Sequence, residues 1–477
     1  VTLVKTVYPF FINGKWEESG SLKEIKSPYD GRPVGQVFFA SSDQVKGAIA
    51  AATAAFDTAR RMPSYERARI LEEISNGLKR RREDLARSIA LQAGKPIRDS
   101  RAEVDRAIMT FDLASEEARR IGGEIIPLDL NAFSQNRWGL VRRFPLGPIT
   151  AITPFNFPLN LVAHKVAPAL ASGNTILLRP ASQVPITSLL LAEIAAEAGL
   201  PAGIFNVIPC DYQAAENLIT DERIKMITFT GSSAVGWEIK ARAPRKRVTL
   251  ELGGNAALVV EPEADLEFAV LRAVTGAFAY AGQICISIQR LFLHEKIYDR
   301  FMADFVERTR ALKLGDPLDE TTDIGPMINE AAARQTEEWV NEAVEKGARI
   351  VCGGKRSGSM FEPTILERVE PEWRISWLEA FAPVVVIYPY RDFEKALEAV
   401  NNSIYGLQAG IFTQDLKKAW LAFEKLEVGG VIINDIPTYR IDHMPYGGVK
   451  ESGTGREGVR YAIEEMTELK LLALNLK

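Results

Sequence analysis

From residue 149 onward, short β-branched runs alternate with longer stretches of helical period. "ITAITPF" (149–155) reads as a buried strand. "LNLVAHKVAPALASG" (159–173) then reads as a helix closed by Gly173. "NTILLRP" (174–180) is the next expected strand, and "ITSLLLAEIAAEAGLP" (186–201) a helix with a Gly cap and a Pro stop. "IFNVIP" (204–209), "RIKMITFTG" (223–231) and "RVTLELGG" (247–254) continue the alternation. Strands separated by helices predict a parallel sheet covered on both faces. The pattern restarts with a helix over 265–281, a strand over 289–295, helices over 297–313 and 329–347, and a strand over 383–390. This predicts a second α/β domain beginning near residue 256. The stretches 134–147 and 467–477 alternate with no helix nearby and are expected to pair as an edge sheet used in assembly.

At 477 residues the chain exceeds the roughly 250–300 residues one core can serve, which supports the division. A formal net charge of −4 points to neither nucleic acid nor a membrane surface, and no apolar run is long enough to span a bilayer. The opening "VTLVKTVYPFFINGKW" alternates like a strand and lacks the apolar core of a signal peptide. Three cysteines without CxxC spacing suit neither a disulfide framework nor a zinc site. With only three histidines (His164, His294 and His443), no metal is expected, and a reducing cytoplasm is the expected home.

The chemistry-bearing stretches lie where strands end. "FTGSSAVG" (229–236) joins a strand to a helix: Gly231 suits a tight turn, Gly236 close helix packing, and Ser232 a phosphate at the helix N-terminus. Its spacing is not GxGxxG, and a plain N-cap explains it as well. "PFNFP" (154–158) holds Asn156 just after a strand, and "LELGGN" (250–255) holds Glu251 before paired glycines. "AYAGQICISIQR" (279–290) places Cys285 in a small-residue turn. A thiol, an amide donor and a carboxylate base are the parts of a covalent thiohemiacetal route. Each also has a bland reading: Cys285 as a small buried hydrophobe, Asn156 as a helix cap, Glu251 as a surface carboxylate. Cys210 and Cys352, with no base or donor motif nearby, are expected to be structural.

Taken in order, these segments resemble the aldehyde dehydrogenase superfamily over essentially the full chain. "EAFAP" (379–383), "YGLQAGIFT" (405–413), "GGVIIND" (429–435) and "PYGGVKESGTGREG" (445–458) extend the resemblance through the C-terminal half. It implies an α/β fold with a Rossmann-like cofactor domain (1–122 and 148–255), a second α/β catalytic domain (256–464) and a small β oligomerisation extension (123–147 and 465–477). It implies Cys285 as the nucleophile, Asn156 and the Cys285 N–H as oxyanion donors, and Glu251 as the base that hydrolyses the thioester. The cofactor positions it implies are Ile152, Thr153, Pro154, Phe155, Arg179, Ala181, Ser182, Gly231, Ser232, Gly236, Leu252, Gly253, Glu379 and Phe381. A CoA-acylating relative and a non-catalytic relative of the same fold are the alternatives; Glu251 speaks against the first and the retained trio against the second.

In "LLRPASQVP" (177–185), Arg179 stands for the family's usual lysine and Ser182 for its NAD-selecting glutamate. A carboxylate there repels a 2′-phosphate and an arginine attracts it, so NADP is expected, with NAD as a second carrier. The resemblance places Arg106, Leu161, His164, Ile284, Ile286 and Arg440 around the substrate, which suggests a small anionic or hydroxylated aldehyde. Arg106 and Arg440 match two phosphate-holding arginines of non-phosphorylating glyceraldehyde-3-phosphate dehydrogenases, whereas Ile284 and Phe157 replace an arginine and a tyrosine of that group. The lactaldehyde dehydrogenase-like group fits better. An i−3 ion pair between Arg106 and Glu103 is the competing reading for Arg106, and a satisfied core histidine the competing reading for His164. A homodimer or homotetramer is the expected assembly.

Overall fold

The computed structural model describes residues 6–476; residues 1–5 and 477, which belong to the expected opening strand and tail, lie outside the described residues. An eight-stranded sheet is built around five parallel strands in the spatial order Arg247–Glu251, Met226–Thr230, Pro148–Ile152, Thr175–Arg179 and Phe205–Val207. Pro148–Ile152 and Thr175–Arg179 are buried at every position. Both faces are covered by helices, so these strands read as continuous apolar runs and not as alternation. The helix Asn160–Ser172 is likewise buried at every residue and ends on Gly173, whose φ of 81° is the left-handed cap that glycine adopts without strain. Phe10–Ile12 and Lys15–Glu17 add an antiparallel edge.

The strand order reverses between Pro148–Ile152 and Met226–Thr230. In open α/β sheets, the crevice at such a reversal, beyond the carboxyl ends of the strands, is where ligands bind.

A second, seven-stranded sheet runs Arg349–Cys352, Thr364–Glu367, Val384–Tyr390, Arg290–His294, Ala257–Val260, Gln408–Phe412 and Gly430–Ile433, parallel except for its first pair. It has its own core of buried residues, among them Phe278, Phe301, Phe305 and Val385. The chain does not stay with this sheet to its end. Gly453–Thr454 pairs antiparallel with Arg247–Glu251, and the helix Val459–Glu465 packs on Asn160–Ser172. The segment 445–458 is thereby drawn over the carboxyl end of the strand that carries Glu251.

Arg137–Pro145 and Thr467–Asn475 pair antiparallel, from Thr467 opposite Pro145 to Asn475 opposite Arg137, with Gly123–Pro127 on the far side of Arg137–Pro145. Leu469, Leu471, Leu472 and Leu474 are all exposed on this ribbon. Among the described residues no helix is long and apolar enough to cross a membrane.

The helix expected over 265–281 stops at Phe278. Tyr280 and Ala281 adopt left-handed φ values of 49° and 52°, and Gly282 follows at 67°. Such geometry is uncommon for non-glycine residues and persists only where the surroundings enforce it. Here the buried Tyr280 hydroxyl donates to Ala93 O at 3.0 Å. A Cβ on Gly282 would run into the backbone of Ala382. Only glycine therefore fits there, and the turn it completes delivers Cys285.

Candidate active site

Cys285 leaves that turn into a cavity of about 280 Å³ lined by Leu161, Phe157, Ile284, Ile286 and Tyr446, with Arg106, Arg272, Arg440 and Lys95 as its cationic members. Its Sγ lies 3.0 Å from the Tyr446 hydroxyl. Burial pushes the thiol up to about 12; the Tyr446 hydrogen bond and Arg440 work downward, while Glu379 and Glu251 add to the rise.

Asn156 is buried and donates from Nδ2 to Gln283 O at 3.0 Å. This ties its amide to the backbone two residues before the thiol. It does not cap the following helix, whose N-cap is Leu159, with no side-chain bond. Gln283 is itself anchored, with its Oε1 accepting from the Ile328 N–H at 2.8 Å.

Glu251 is only 5 % exposed, which excludes a surface carboxylate, and among the described residues neither of its oxygens has a hydrogen-bond partner. Burial, and after it the neighbouring Glu457 charge, hold its carboxyl well above the usual range. Glu457 goes the other way. Burial opposes its ionisation, but Lys165 and Arg440, each 3.0 Å away, outweigh burial and bring it to about 2. Two adjacent carboxyls are thus driven apart in acidity, the pattern by which a site keeps one charged and the other available for proton transfer.

Arg106 does not pair with Glu103. Its Nη2 and Nε donate to Asp442 at 2.7 and 3.2 Å. Glu103 is already engaged: it pairs with the buried Lys95 and accepts from the Leu159 and Asn160 N–H groups at 2.8 and 3.2 Å. A carboxylate at that helix N-terminus is favoured by the free N–H groups and the dipole. His164, expected beside the substrate, does not reach the cavity. It is 1 % exposed, with Nε2 2.8 Å from Asp442, and burial followed by Arg440 holds it below the ordinary histidine value, so it is neutral at pH 7. The arrangement agrees with a core histidine paired through Nε2 alone: Asn160–Ser172 is buried on every side, position 164 faces Asp442 instead of the cavity, and Nδ1 has no hydrogen-bond partner among the described residues. Arg440 lines the cavity but is bound to Glu457 and stacked 3.7 Å from the Tyr446 ring centre.

The remaining expected positions gather at the crevice of the first sheet. Ile152, Thr153, Pro154 and Phe155 leave the end of Pro148–Ile152, and Phe155 meets Phe381 edge-on at 5.8 Å. Arg179 ends its strand with its guanidinium 5.0 Å from the Tyr212 ring, and Ala181 and Ser182 are half-buried just beyond. Gly231 follows Met226–Thr230, and a Cβ on Gly236 would strike Leu252. Ser232 is the exposed N-cap of Ser233–Arg242 but makes no side-chain cap bond, so the expected phosphate position offers backbone N–H groups and not a hydroxyl committed to the helix. A Cβ on Gly253 would strike Glu379, which accepts from the Gly254 N–H at 3.0 Å and is raised to about 7 by burial. These glycines allow Leu252, Glu379 and Phe229 to pack closely around the strand ends, and the uncommitted N–H groups at the start of Ser233–Arg242 suit a dinucleotide phosphate. Among the described residues no group of three or more His, Cys, Asp or Glu is placed to hold a metal ion. Cys210 and Cys352 are buried free thiols, and burial raises both.

Sequence reasoning passed over Arg272, Tyr446, Lys165, Glu457 and Asp442. Tyr446 and Glu457 lie within the quoted 445–458 stretch and Asp442 within the loop before it, but nothing in the local pattern says that they meet Cys285, Glu251 or Arg106.

A half-buried thiol near a crevice at a strand-order reversal suits an oxidoreductase that works through a covalent sulfur adduct. The aldehyde dehydrogenase family model matches residues 16–472, and the chain belongs to that family. It is 45% identical over 470 residues to a 3-sulfolactaldehyde dehydrogenase of Priestia aryabhattai, covering 98% of each chain. It is similar in structure (TM-score 0.97, 45% identity, 99% of each chain) to aldehyde dehydrogenase 21 of Physcomitrella patens in complex with the reaction product succinate. It also resembles a glyceraldehyde-3-phosphate dehydrogenase of Methanocaldococcus jannaschii complexed with NADP (TM-score 0.92, 40% identity, 96% of this chain and 100% of that one). The protein is an NAD(P)-dependent enzyme that oxidises an aldehyde to its acid without acylating CoA.

Proposed function

We propose that the substrate is a short aldehyde with an anionic or hydroxylated far end, oxidised at Cys285 with NADP and, less well, with NAD. The observation that carries this reading is the placement of the thiol. It sits in an apolar cavity whose more exposed part holds two guanidiniums, Arg106 and Arg272, with side chains 30% and 28% exposed. Arg272 gives its Nε to Asp435 at 2.6 Å, and its Nη groups remain for a ligand. Relatives named for sulfolactaldehyde and a structure holding succinate agree with an anionic tail.

The Cys285 thiolate adds to the aldehyde carbon. Asn156 Nδ2 and the Cys285 N–H donate to the oxyanion, each worth about 100–1,000-fold in rate. A bound nicotinamide would supply the hydride acceptor, so that loss of hydride from the thiohemiacetal carbon, with the oxyanion reforming C=O, would leave a thioester. Glu251 in its ionised form takes the proton of the water that hydrolyses this thioester, and the acid leaves. Gly231, Gly236, Gly253 and the first turn of Ser233–Arg242 would hold the dinucleotide. Arg179, with Ser182 where a carboxylate would repel, would take a 2′-phosphate.

In this reading residues 1–122 and 148–255 serve the cofactor and 256–464 carry the nucleophile. Residues 123–147 and 465–477 join copies into a homodimer or homotetramer through the leucine-rich ribbon, in a reducing, cytoplasmic setting. The test is an aldehyde panel with NADP and no CoA, with the acid product quantified. Conversion of sulfonate- or carboxylate-bearing aldehydes, lost in Cys285→Ala, is expected. Turnover that persists in Cys285→Ala, or that favours aldehydes with neither a charge nor a hydroxyl, overturns the reading.

A further inference from the structure

The contact between Cys285 and Tyr446 has no part in the steps above. Tyr446 is 3% exposed, and its hydroxyl lies 3.0 Å from Sγ. Its backbone is pinned by two bonds, and one cation lies on its ring. Its N–H donates to Glu457 O at 3.1 Å, and the Glu457 N–H donates back to Tyr446 O at 2.7 Å. The Glu457 side chain binds Arg440 at 3.0 Å, and Arg440 lies over the phenol ring at 3.7 Å. The loop of contacts closes on itself, so the hydroxyl is pre-aimed at the sulfur.

At rest either atom can donate across this contact. Once the sulfur has lost its proton, only the phenol has a hydrogen to give. We propose that Tyr446 is a catalytic residue that donates its hydroxyl hydrogen to the Cys285 thiolate, and that Arg440 is a positioning residue that holds and polarises the phenol for this task. The inference rests on Cys285 being the nucleophile.

The need for such a donor follows from the surroundings. The charged and titratable groups facing the sulfur are Tyr446, Glu379, Arg440 and Glu251. Burial opposes the thiolate and both carboxyls add to the opposition, which leaves Tyr446 and Arg440 as its supports. Neither Phe157 nor the isoleucines at 284 and 286 can donate. A hydrogen bond to a charged group is stronger than one between neutral groups, and a buried one is stronger still.

The experiment measures iodoacetamide alkylation of Cys285 in the full chain without cofactor, by peptide mass spectrometry, between about pH 7.5 and 9. In Tyr446→Phe the thiolate fraction should fall about tenfold, partly offset by higher intrinsic nucleophilicity, so alkylation slows about threefold. Replacing Tyr446 by 3-fluorotyrosine, a stronger donor of nearly the same shape, should raise the thiolate fraction. That variant keeps the test decisive if Tyr446→Phe melts early. Slower alkylation in the first or a larger thiolate fraction in the second supports the proposal, and a pH–rate profile unchanged in both overturns it. Aldehyde oxidation surviving in Cys285→Ala would sink the nucleophile reading instead, a separate result from unchanged alkylation.

Discussion

The guanidinium of Arg106 is held 2.7 Å from Asp442, 336 residues further along the chain, while Glu103, one helical turn away, is turned toward Lys95 and the helix at Asn160. Asp442 also accepts from His164 and Asn160. One carboxylate thus fixes the cavity-lining arginine, the buried histidine and the start of a core helix.

Arg106→Met and Arg272→Met should each raise KM for anionic aldehydes about 10- to 100-fold, the usual worth of a charged hydrogen bond, and leave neutral aldehydes nearly unaffected. Arg440→Met should behave differently. Its partner Glu457 acts on Glu251, so losing Arg440 perturbs the base and kcat should fall for every aldehyde. Steady-state kinetics on matched anionic and neutral substrates separates the two patterns.

Glu251 must be ionised to act as a base, yet burial and then Glu457 hold its carboxyl well above 4.5. Thioester hydrolysis should therefore rise with pH through that raised value, well above the ordinary carboxylate range. Glu251→Gln should stall at a covalent acyl adduct on Cys285, visible as an added mass on the protein. The native state binds this proton more tightly than the unfolded chain does. The group's contribution to stability is thus complete below about pH 4.5 and is lost as pH rises toward the folded value.

The Asp442 carboxyl is held far below its usual value: burial opposes this, but His164 and Arg106 outweigh burial. Its contribution to stability is present above about pH 3.8 and is lost as pH falls toward the folded value. Asp442→Asn leaves buried donors facing an amide and should cost about 3 kcal/mol at pH 7. Thermal melts should show the gap to the parent narrowing in acid; a gap that stays constant with pH would contradict the assignment.

In the proposed function Arg179 and Ser182 decide cofactor choice. The ratio of kcat/KM for NADP over NAD should exceed one, and Ser182→Glu should reverse it by placing a carboxylate against the 2′-phosphate. A parent enzyme that strongly prefers NAD would refute the reading of this pair.

Where local pattern carried the physics, the elements were legible. Five buried parallel strands, the helix ending at Gly173 and the ribbon Thr467–Asn475 follow from runs of β-branched residues, glycine stops and strict alternation. The helix before Cys285 ends earlier than its pattern suggests, because Tyr280 and Ala281 suit a helix but turn left-handed where the Tyr280 hydroxyl is held on Ala93 and Gly282 passes close to Ala382.

The family resemblance, read from the order of motifs along the chain, singled out Cys285, Asn156 and Glu251, and each sits at a strand end or turn, where a side chain can face a crevice. What no local reading could supply is who neutralises whom. Tyr446 on the sulfur, Glu457 beside Glu251, and Asp442 between Arg106 and His164 all join segments far apart in sequence. Side-chain type and backbone preference are properties of short windows and are written in the sequence. Burial, charge pairing and the protonation they impose depend on distances across the fold, and only the return of 445–458 over the Glu251 strand brings those groups within reach.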